Sequence, residues 1–316
     1  MKAAVIDTFG LGAEISIRNI PLPKIEANQV LVEIHSASVN PIDWKIMQGQ
    51  MGQRYGADFP VTLGFDCSGV IVDSGANVEA FKIGDEVFAR SNIGAGGCYA
   101  EYVALNINTV AYKPKSISFE EAAALPLAAL TAINGLNECA KNTDGSRVLI
   151  IGASGGVGTL ALQIAKILGA AHVTGVCSSK NIELAADLGA DEIIDYTTDN
   201  PFKTDEGFDI IYDTIGAHSF HSAKTVLKDM GTFLTLVPNE GVDFFIPGQT
   251  EWEPNKGYFV AWEPTSKDLQ QLSSWVDEGK LKPIIDSIYR LDDVVDAHLK
   301  SQTERAVGKI VIRVKD

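Results

Sequence analysis

The sequence predicts an α/β protein of two domains: a parallel sheet doubly wound with helices, and a mostly-β domain beside it. Three observations predict this. In Leu149 to Leu168, LIIGASGGVGTLALQIAKIL, a β-branched apolar run passes through a glycine cluster into an apolar run at helical spacing. Further β-rich and helix-periodic runs alternate after it, the pattern of a parallel sheet covered by helices. Before residue 113 the chain instead shows short β-rich runs cut by Gly, Pro and Asn turns, the pattern of a small barrel or sandwich. A chain of 316 residues has room for two such domains, and 46% apolar residues supply their cores.

In order, strands are expected at Ala3–Ile6, Ile15–Ile17, Val30–Ile34, Ser68–Val72, Glu86–Ala89 and Tyr99–Ala104. The stretches 40–56 and 91–98 read as loops long enough to carry function. Ser118 and Glu121 have the spacing of a capping box, and Phe119 to Ala140 should be helical with a break near Pro126. Six strands follow, at 147–151, 172–177, 192–195, 209–213, 232–237 and 258–261. Helices are expected at 157–168, 182–188 and 219–227. Residues 240–255, rich in Pro, Gly and acids, read as an irregular loop. A helix from about Ser266 to Glu278 and a strand at Gly308–Val314 come after the sheet is complete and should return to the first domain.

Composition excludes several classes. A formal charge of −15 and a pI near 4.7 argue against a nucleic-acid or membrane-surface binder, which needs concentrated Lys and Arg. The longest apolar stretch, Ala122 to Ile133, is broken by Pro126 and too short to span a bilayer. Four scattered cysteines without a CxxC pair suit reduced thiols, and the N-terminus lacks a signal-peptide run, so a cytoplasmic protein is expected.

The glycine cluster bears on chemistry. Strand, glycine turn and helix together present backbone N–H groups to a pyrophosphate at a helix N-terminus. The competing reading is a glycine turn that packs a helix tightly on the sheet with no ligand. The second strand of the sheet ends in Cys177, Ser178, Ser179, Lys180 and Asn181, where an NAD-binding sheet usually has an acid for the ribose 2′-OH. Two hydroxyls and an ammonium suit a 2′-phosphate instead, which favours NADPH; a serine cap on the next helix with a solvated lysine is the structural alternative. The histidines lack the company a zinc site demands. His218 and His221, three apart on an expected helix, read as a surface pair, and no metal ligands are expected.

The segments VNPIDWKIMQG (39–49), GFDCSGVIVDSG (64–75), GDEVFA (84–89), GGCYAEYVA (96–104), LPLAALTA (125–132), GASGGVG (152–158), LGADEIIDYT (188–197) and GKIVIRV (308–314) span nearly the whole chain. On them the chain resembles the zinc-independent branch of the medium-chain dehydrogenase/reductase superfamily, the quinone oxidoreductase (zeta-crystallin-like) and enone (alkenal) reductase group. In zinc-dependent members a cysteine ligand lies where Asn40 stands, and a His-Glu pair where Phe65 and Asp66 stand. The resemblance implies a Rossmann doubly wound parallel sheet at residues 118–262 and a GroES-like mostly-β barrel domain built from 1–117 and 263–316.

It further implies that Gly155, Gly156, Val157 and Gly158 surround the pyrophosphate of NADPH, and that Gly152, Ala153 and Ser154 belong to the same cofactor-binding turn. Ser178, Ser179 and Lys180 would meet the 2′-phosphate with Tyr196 nearby. Asn40, Lys45 and Thr131 would lie at the nicotinamide end, and the backbone at Val237 and Val260 would bond the carboxamide. Asn40 and Lys45 are the catalytic candidates: they would either polarise the substrate carbonyl or bind the cofactor ribose and amide. Asp43 reads either as a structural partner of this loop or as a turn cap. Ile46 and Met47, where many relatives have Arg or Tyr, make the substrate side apolar. Met51, Tyr55 and Phe59 would either wall an apolar cleft or pack in the core. The implied reaction is metal-free hydride transfer from NADPH to the β-carbon of an enone or alkenal, or to a quinone, in a homodimer; the alternative is a non-catalytic, crystallin-like NADPH-binding protein.

Overall fold

Alternating apolar residues set the first long strand, and the rest of the N-terminal region is arranged on it. The computed structural model describes residues 1–50, 58–92, 96–245, 249–260 and 265–315. Strands β1 (Lys2–Ile6), β2 (Ser16–Asn19), β3 (Gln29–Val39), β4 (Val61–Thr62), β5 (Asp66–Ser74), β6 (Glu86–Arg90), β7 (Tyr102–Asn106) and β8 (Val110–Tyr112) precede residue 113. Along β3, Val30, Val32 and Ile34 point to the core at period two, while Ser36 to Val39 are all buried. The small polar Ser36 and Ser38 hide this extension from a pattern search, so β3 runs five residues beyond the expected Ile34. It pairs antiparallel with β5 and β7. The stretch 40–56, read as a loop, contains helix α1 (Pro41–Met47). Met51 and Tyr55 lie outside the described residues.

The break at Pro126 is present. Helix α2 (Phe119–Ala123) starts from a capping box in which Ser118 Oγ accepts from the Glu121 amide and Glu121 accepts from the Ser118 amide. Helix α3 (Pro126–Ile133) follows and widens into a π turn at Asn134–Cys139.

Then come β9 (Arg147–Ile151), α4 (Gly156–Ile167), β10 (His172–Cys177), α5 (Ile182–Asp187), β11 (Glu192–Asp195), β12 (Phe208–Asp213), α6 (Phe220–Ala223), β13 (Leu227–Thr235), β14 (Val242–Phe245) and β15 (Lys256–Val260). The strands form one parallel sheet in the order β11-β10-β9-β12-β13-β15-β14. It has seven strands rather than six. The segment 240–255, expected to be irregular, contributes β14, because Phe245 is buried against Tyr258 and Val242 packs half-buried on the other face while β14 hydrogen-bonds along β15. His218 and His221 do not share a helix face: Ser219 is the N-cap, so His218 precedes α6 and stacks edge-on against Phe202.

The chain ends with α7 (Ser266–Asp277), β16 (Ile285–Arg290), α8 (Val294–Gln302) and β17 (Lys309–Arg313). Strand β17 pairs antiparallel with β3 and parallel with β16. Residues Met1–Ala128 and Glu263–Asp316 make one unit, and Ala129–Trp262 the other. The first is cored by Val30, Val32, Ile34, Phe65, Ile71, Tyr99, Val294 and Ile310. The sheet of the second is cored by Leu149, Ile151, Val176, Ile211 and Phe233. All four cysteines are buried. Among the described residues no helix is long and apolar enough to cross a membrane.

Candidate cofactor and active site

In the second unit all strands run parallel, so their carboxyl ends share one edge of the sheet, where ligands of such sheets bind. Gly152 to Gly158 turn from β9 into α4 at that edge. Ser178, Ser179 and Lys180 follow β10, Tyr196 follows β11, Val237 follows β13, and Val260 ends β15. The geometry separates the glycines by role. Gly152 has φ +80°, and a Cβ on it would meet Thr214 Oγ1 and Ile215 Cγ2 at 2.7 and 2.6 Å. A Cβ on Gly158 would lie 2.1 Å from the Gly152 carbonyl oxygen. Internal packing therefore requires both. Gly155, the N-cap of α4, is different: a Cβ there would meet only that same oxygen, at 3.4 Å, and its φ of −80° suits any residue. What its missing side chain provides is room at a twelve-residue helix's N-terminus, where N–H groups lack helical partners.

The next loop is tied to this one. Asn181 Nδ2 donates to Ser154 Oγ at 3.1 Å and to Ser178 Oγ at 3.4 Å, so one amide links the β9 and β10 turns. Asn181 was not among the sequence candidates; a donor-rich residue just after Lys180 was the available signal. Neither Ser178 nor Asn181 caps the following helical turns with its side chain, so the serine-cap alternative is not what this loop does. Ser179 and Lys180 are exposed. Cys177 pairs with Asp195 across β10 and β11, which brings a carboxylate to the same place. Thr197's hydroxyl and amide hold that carboxyl below its ordinary range, and Ser179's hydroxyl and amide also lean on it. Val237's amide already donates to Thr235 Oγ1 at 3.2 Å, and Val260 is buried. The Thr131 carbonyl accepts from Tyr212 Oη at 2.9 Å.

In the first unit Asn40 and Lys45 stand at the two ends of one short helical segment, Asn40 as the N-cap of α1. Lys45 is partly exposed, with Nζ 5.5 Å from the Trp44 ring. The Asn40 side chain is buried and engaged on both sides: Nδ2 donates to Asp66 Oδ2 at 2.8 Å, and Oδ1 accepts from Lys309 Nζ at 2.5 Å. Lys309 also donates to the Val39 carbonyl at 3.0 Å and stands 3.9 Å from Asp66 Oδ2. Burial pulls the Lys309 ammonium down from its ordinary range and pushes the Asp66 carboxyl up, while each one's charge works against the other's shift. Asp43 is a structural partner of the loop: its Oδ2 accepts from the Asn40 amide at 2.7 Å and from Tyr99 Oη at 2.6 Å. Burial pushes its carboxyl up to about 7.

Zinc does not suit this place. The oxygen atoms of Val39, Asn40 and Asp66 already surround an ammonium, and a dication beside it would be repelled. Among the described residues no three of His, Cys, Asp and Glu gather closely enough to hold a metal ion.

The chain matches the family model "Alcohol dehydrogenase GroES-like domain" over residues 26–115 and "Zinc-binding dehydrogenase" over residues 188–312. It is 36% identical to the mitochondrial NAD(P)H oxidoreductase RTN4IP1 of Mus musculus, covering 99% of this chain and 89% of the relative. It is 37% identical to the 2-methylene-furan-3-one reductase of Solanum lycopersicum, covering 93% of this chain and 74% of the relative. The structure of the quinone oxidoreductase from Coxiella burnetii superposes with a TM-score of 0.86 at 30% identity, covering 100% of this chain and 99% of that one.

Proposed function

Because the chain belongs to the medium-chain dehydrogenase/reductase family, among its quinone oxidoreductases and enone reductases, we propose that it is an NADPH-dependent oxidoreductase. It reduces an α,β-unsaturated carbonyl compound or a quinone, without a metal ion. One observation carries this reading: Gly155 leaves room at the N-terminus of α4, and the neighbouring turn presents Ser178 and Lys180 where a ribose-binding acid would otherwise stand.

The N–H groups at the start of α4 take the pyrophosphate. Lys180 and Ser178 take the 2′-phosphate by charge-assisted hydrogen bonds. NADPH, when bound, supplies the hydride. Asn40 does not polarise the acceptor carbonyl, because its amide is committed to Asp66 and Lys309. Two relatives support this acceptor class: one is a 2-methylene-furan-3-one reductase, named for a conjugated ketone, and the solved neighbour is a quinone oxidoreductase. Ile46 is fully buried in the core and so does not line the acceptor side as expected, while Met47 packs partly buried against that core.

A parallel screen of enones, alkenals and quinones, each with NADPH and NADH, tests the reading. Acceptor-dependent NADPH oxidation is expected, with NADH slower; no oxidation above the enzyme-free rate for any acceptor would overturn it. Lys180→Ala should raise the KM for NADPH about tenfold, which is ~1.4 kcal/mol, and leave NADH kinetics unchanged.

A further inference from the structure

The residue that ends β10 is Cys177, so the strand whose end usually supplies an acid to an adenosine ribose supplies none. An acid stands one strand over. Asp195, the last residue of β11, is in register with Cys177, and the Tyr196 amide donates to the Cys177 carbonyl at 3.2 Å. The two strands are thus still paired where they leave the sheet, about 4.8 Å apart. All of these residues lie in the second unit. The Asp195 carboxyl is half-buried and held: the Thr197 amide and hydroxyl donate to its Oδ1 at 2.9 and 2.7 Å. Ser179, in the turn after β10, brings its hydroxyl and amide to the same carboxyl. These donors favour the ionised form, so a fixed negative charge borders the turn that presents Ser178, Ser179 and Lys180.

We propose that Asp195 is a second determinant of cofactor choice, set against Lys180: it accepts a hydrogen bond from the ribose 2′-OH of NADH, and its charge opposes the 2′-phosphate of NADPH. This rests on the NADPH reading given above, which puts the adenosine ribose at this turn. A 2′-hydroxyl has a hydrogen to give and finds in Asp195 the acceptor that β10 lacks. A 2′-phosphate must draw the Ser179 hydroxyl away from Asp195 and bear a like charge close by, while Lys180 attracts it. The preference for NADPH is then a balance of two opposed charges, not the work of Lys180 alone. Asp195 also shapes its own turn: its carbonyl accepts from the Thr198 and Asp199 amides at 3.1 and 2.9 Å, and Oδ1 closes an Asx turn onto Thr197. Loss of a turn cap alone would weaken both cofactors together. Loss of a selecting charge moves them in opposite directions.

Fluorescence titration of the whole chain measures the dissociation constants of NADPH and NADH for wild type, Asp195→Asn and Asp195→Ser. Asp195→Asn keeps the shape and the Oδ1 acceptor but loses the charge. Its NADPH constant should fall and its NADH constant rise, so that their ratio shifts at least threefold towards NADPH. Lys180→Ala should shift the ratio the other way, and the double variant should lie between the two single variants. Asp195→Ser decides the matter if Asp195→Asn does not fold. A shift of less than threefold, a shift towards NADH, or equal weakening of both cofactors would overturn the role of Asp195 and leave the NADPH reading standing. Should wild type bind NADPH alone, the NADPH constant decides by itself: a threefold fall supports the role and a smaller one overturns it. Wild type that does not bind NADPH would overturn that reading and this role with it. Wild type that binds the cofactor but reduces no acceptor would overturn the oxidoreductase reading, and the titrations would still decide on Asp195.

Discussion

Gly155 and Gly158 sit three residues apart yet answer to different demands. An added methyl at Gly158 meets a carbonyl oxygen at 2.1 Å, whereas at Gly155 the only neighbour among the described residues is in ordinary contact at 3.4 Å. Gly158→Ala should therefore lower stability by about 1–3 kcal/mol, the usual range for overpacking, read from denaturant unfolding. Gly155→Ala should unfold like wild type and weaken NADPH binding at least tenfold; equal affinities would mean that nothing binds above this turn. Asp43 offers a prediction in pH. Its carboxyl is held near 7 by burial, above the 3.8 of an ordinary aspartate, so its neutral form belongs to the folded state. The stability this gives is complete below about pH 4 and is lost as pH rises to 7. Buried His298, pushed down to about 4, behaves oppositely, losing stability as pH falls from 6.5 towards 4. The two slopes oppose each other between pH 4 and 6.5. Asp43→Asn, always neutral, should gain on wild type as pH rises from 4 to 7, by at most ~1.4 kcal/mol per pH unit. A constant difference across that range would show that Asp43 does not titrate there.

At the level of elements, strands β9 to β12 were legible to within a residue: burial on both faces writes a largely apolar run in β9, as in Val148 to Ile151, and buries most of β10 and β12, whereas β11, at the edge of the sheet, is only partly buried. Strand β14 was not, since Val242-Asp243-Phe244-Phe245 is only four residues long, and only its pairing to β15 makes it a strand. Helix α1 is only seven residues long and is held by remote partners, Tyr99 through Asp43 and Ser301 through Trp44. Such support leaves no periodic trace. Strand β14 is the outermost of its sheet and Phe244 is half-exposed on it, features that natural sheets seldom leave uncovered. We propose that a homodimer forms along this edge. Phe244→Asp should then shift the sedimentation coefficient to that of a monomer; an unchanged value in both proteins would remove the edge as an interface.

Taken whole, the molecule divides into parts that a sequence announces and parts that it conceals. The glycine turn is contiguous and could be read directly. The contact between Asn40 and Lys309 joins residues 269 apart, and each looks ordinary in its own neighbourhood. Asn40 was therefore visible as a candidate while its commitment to two buried charges was not. The cysteines, read in the sequence as scattered reduced thiols, gain meaning at this scale. Each is buried, and burial pushes the Cys98, Cys139 and Cys177 thiols up, Cys139 to about 12. Thiolates are what conjugated ketones and quinones alkylate. Under the proposed function, burial of all four cysteines shields the catalyst from its own substrates. Native protein should accordingly take up no maleimide, by intact mass, under conditions where the unfolded chain takes up four.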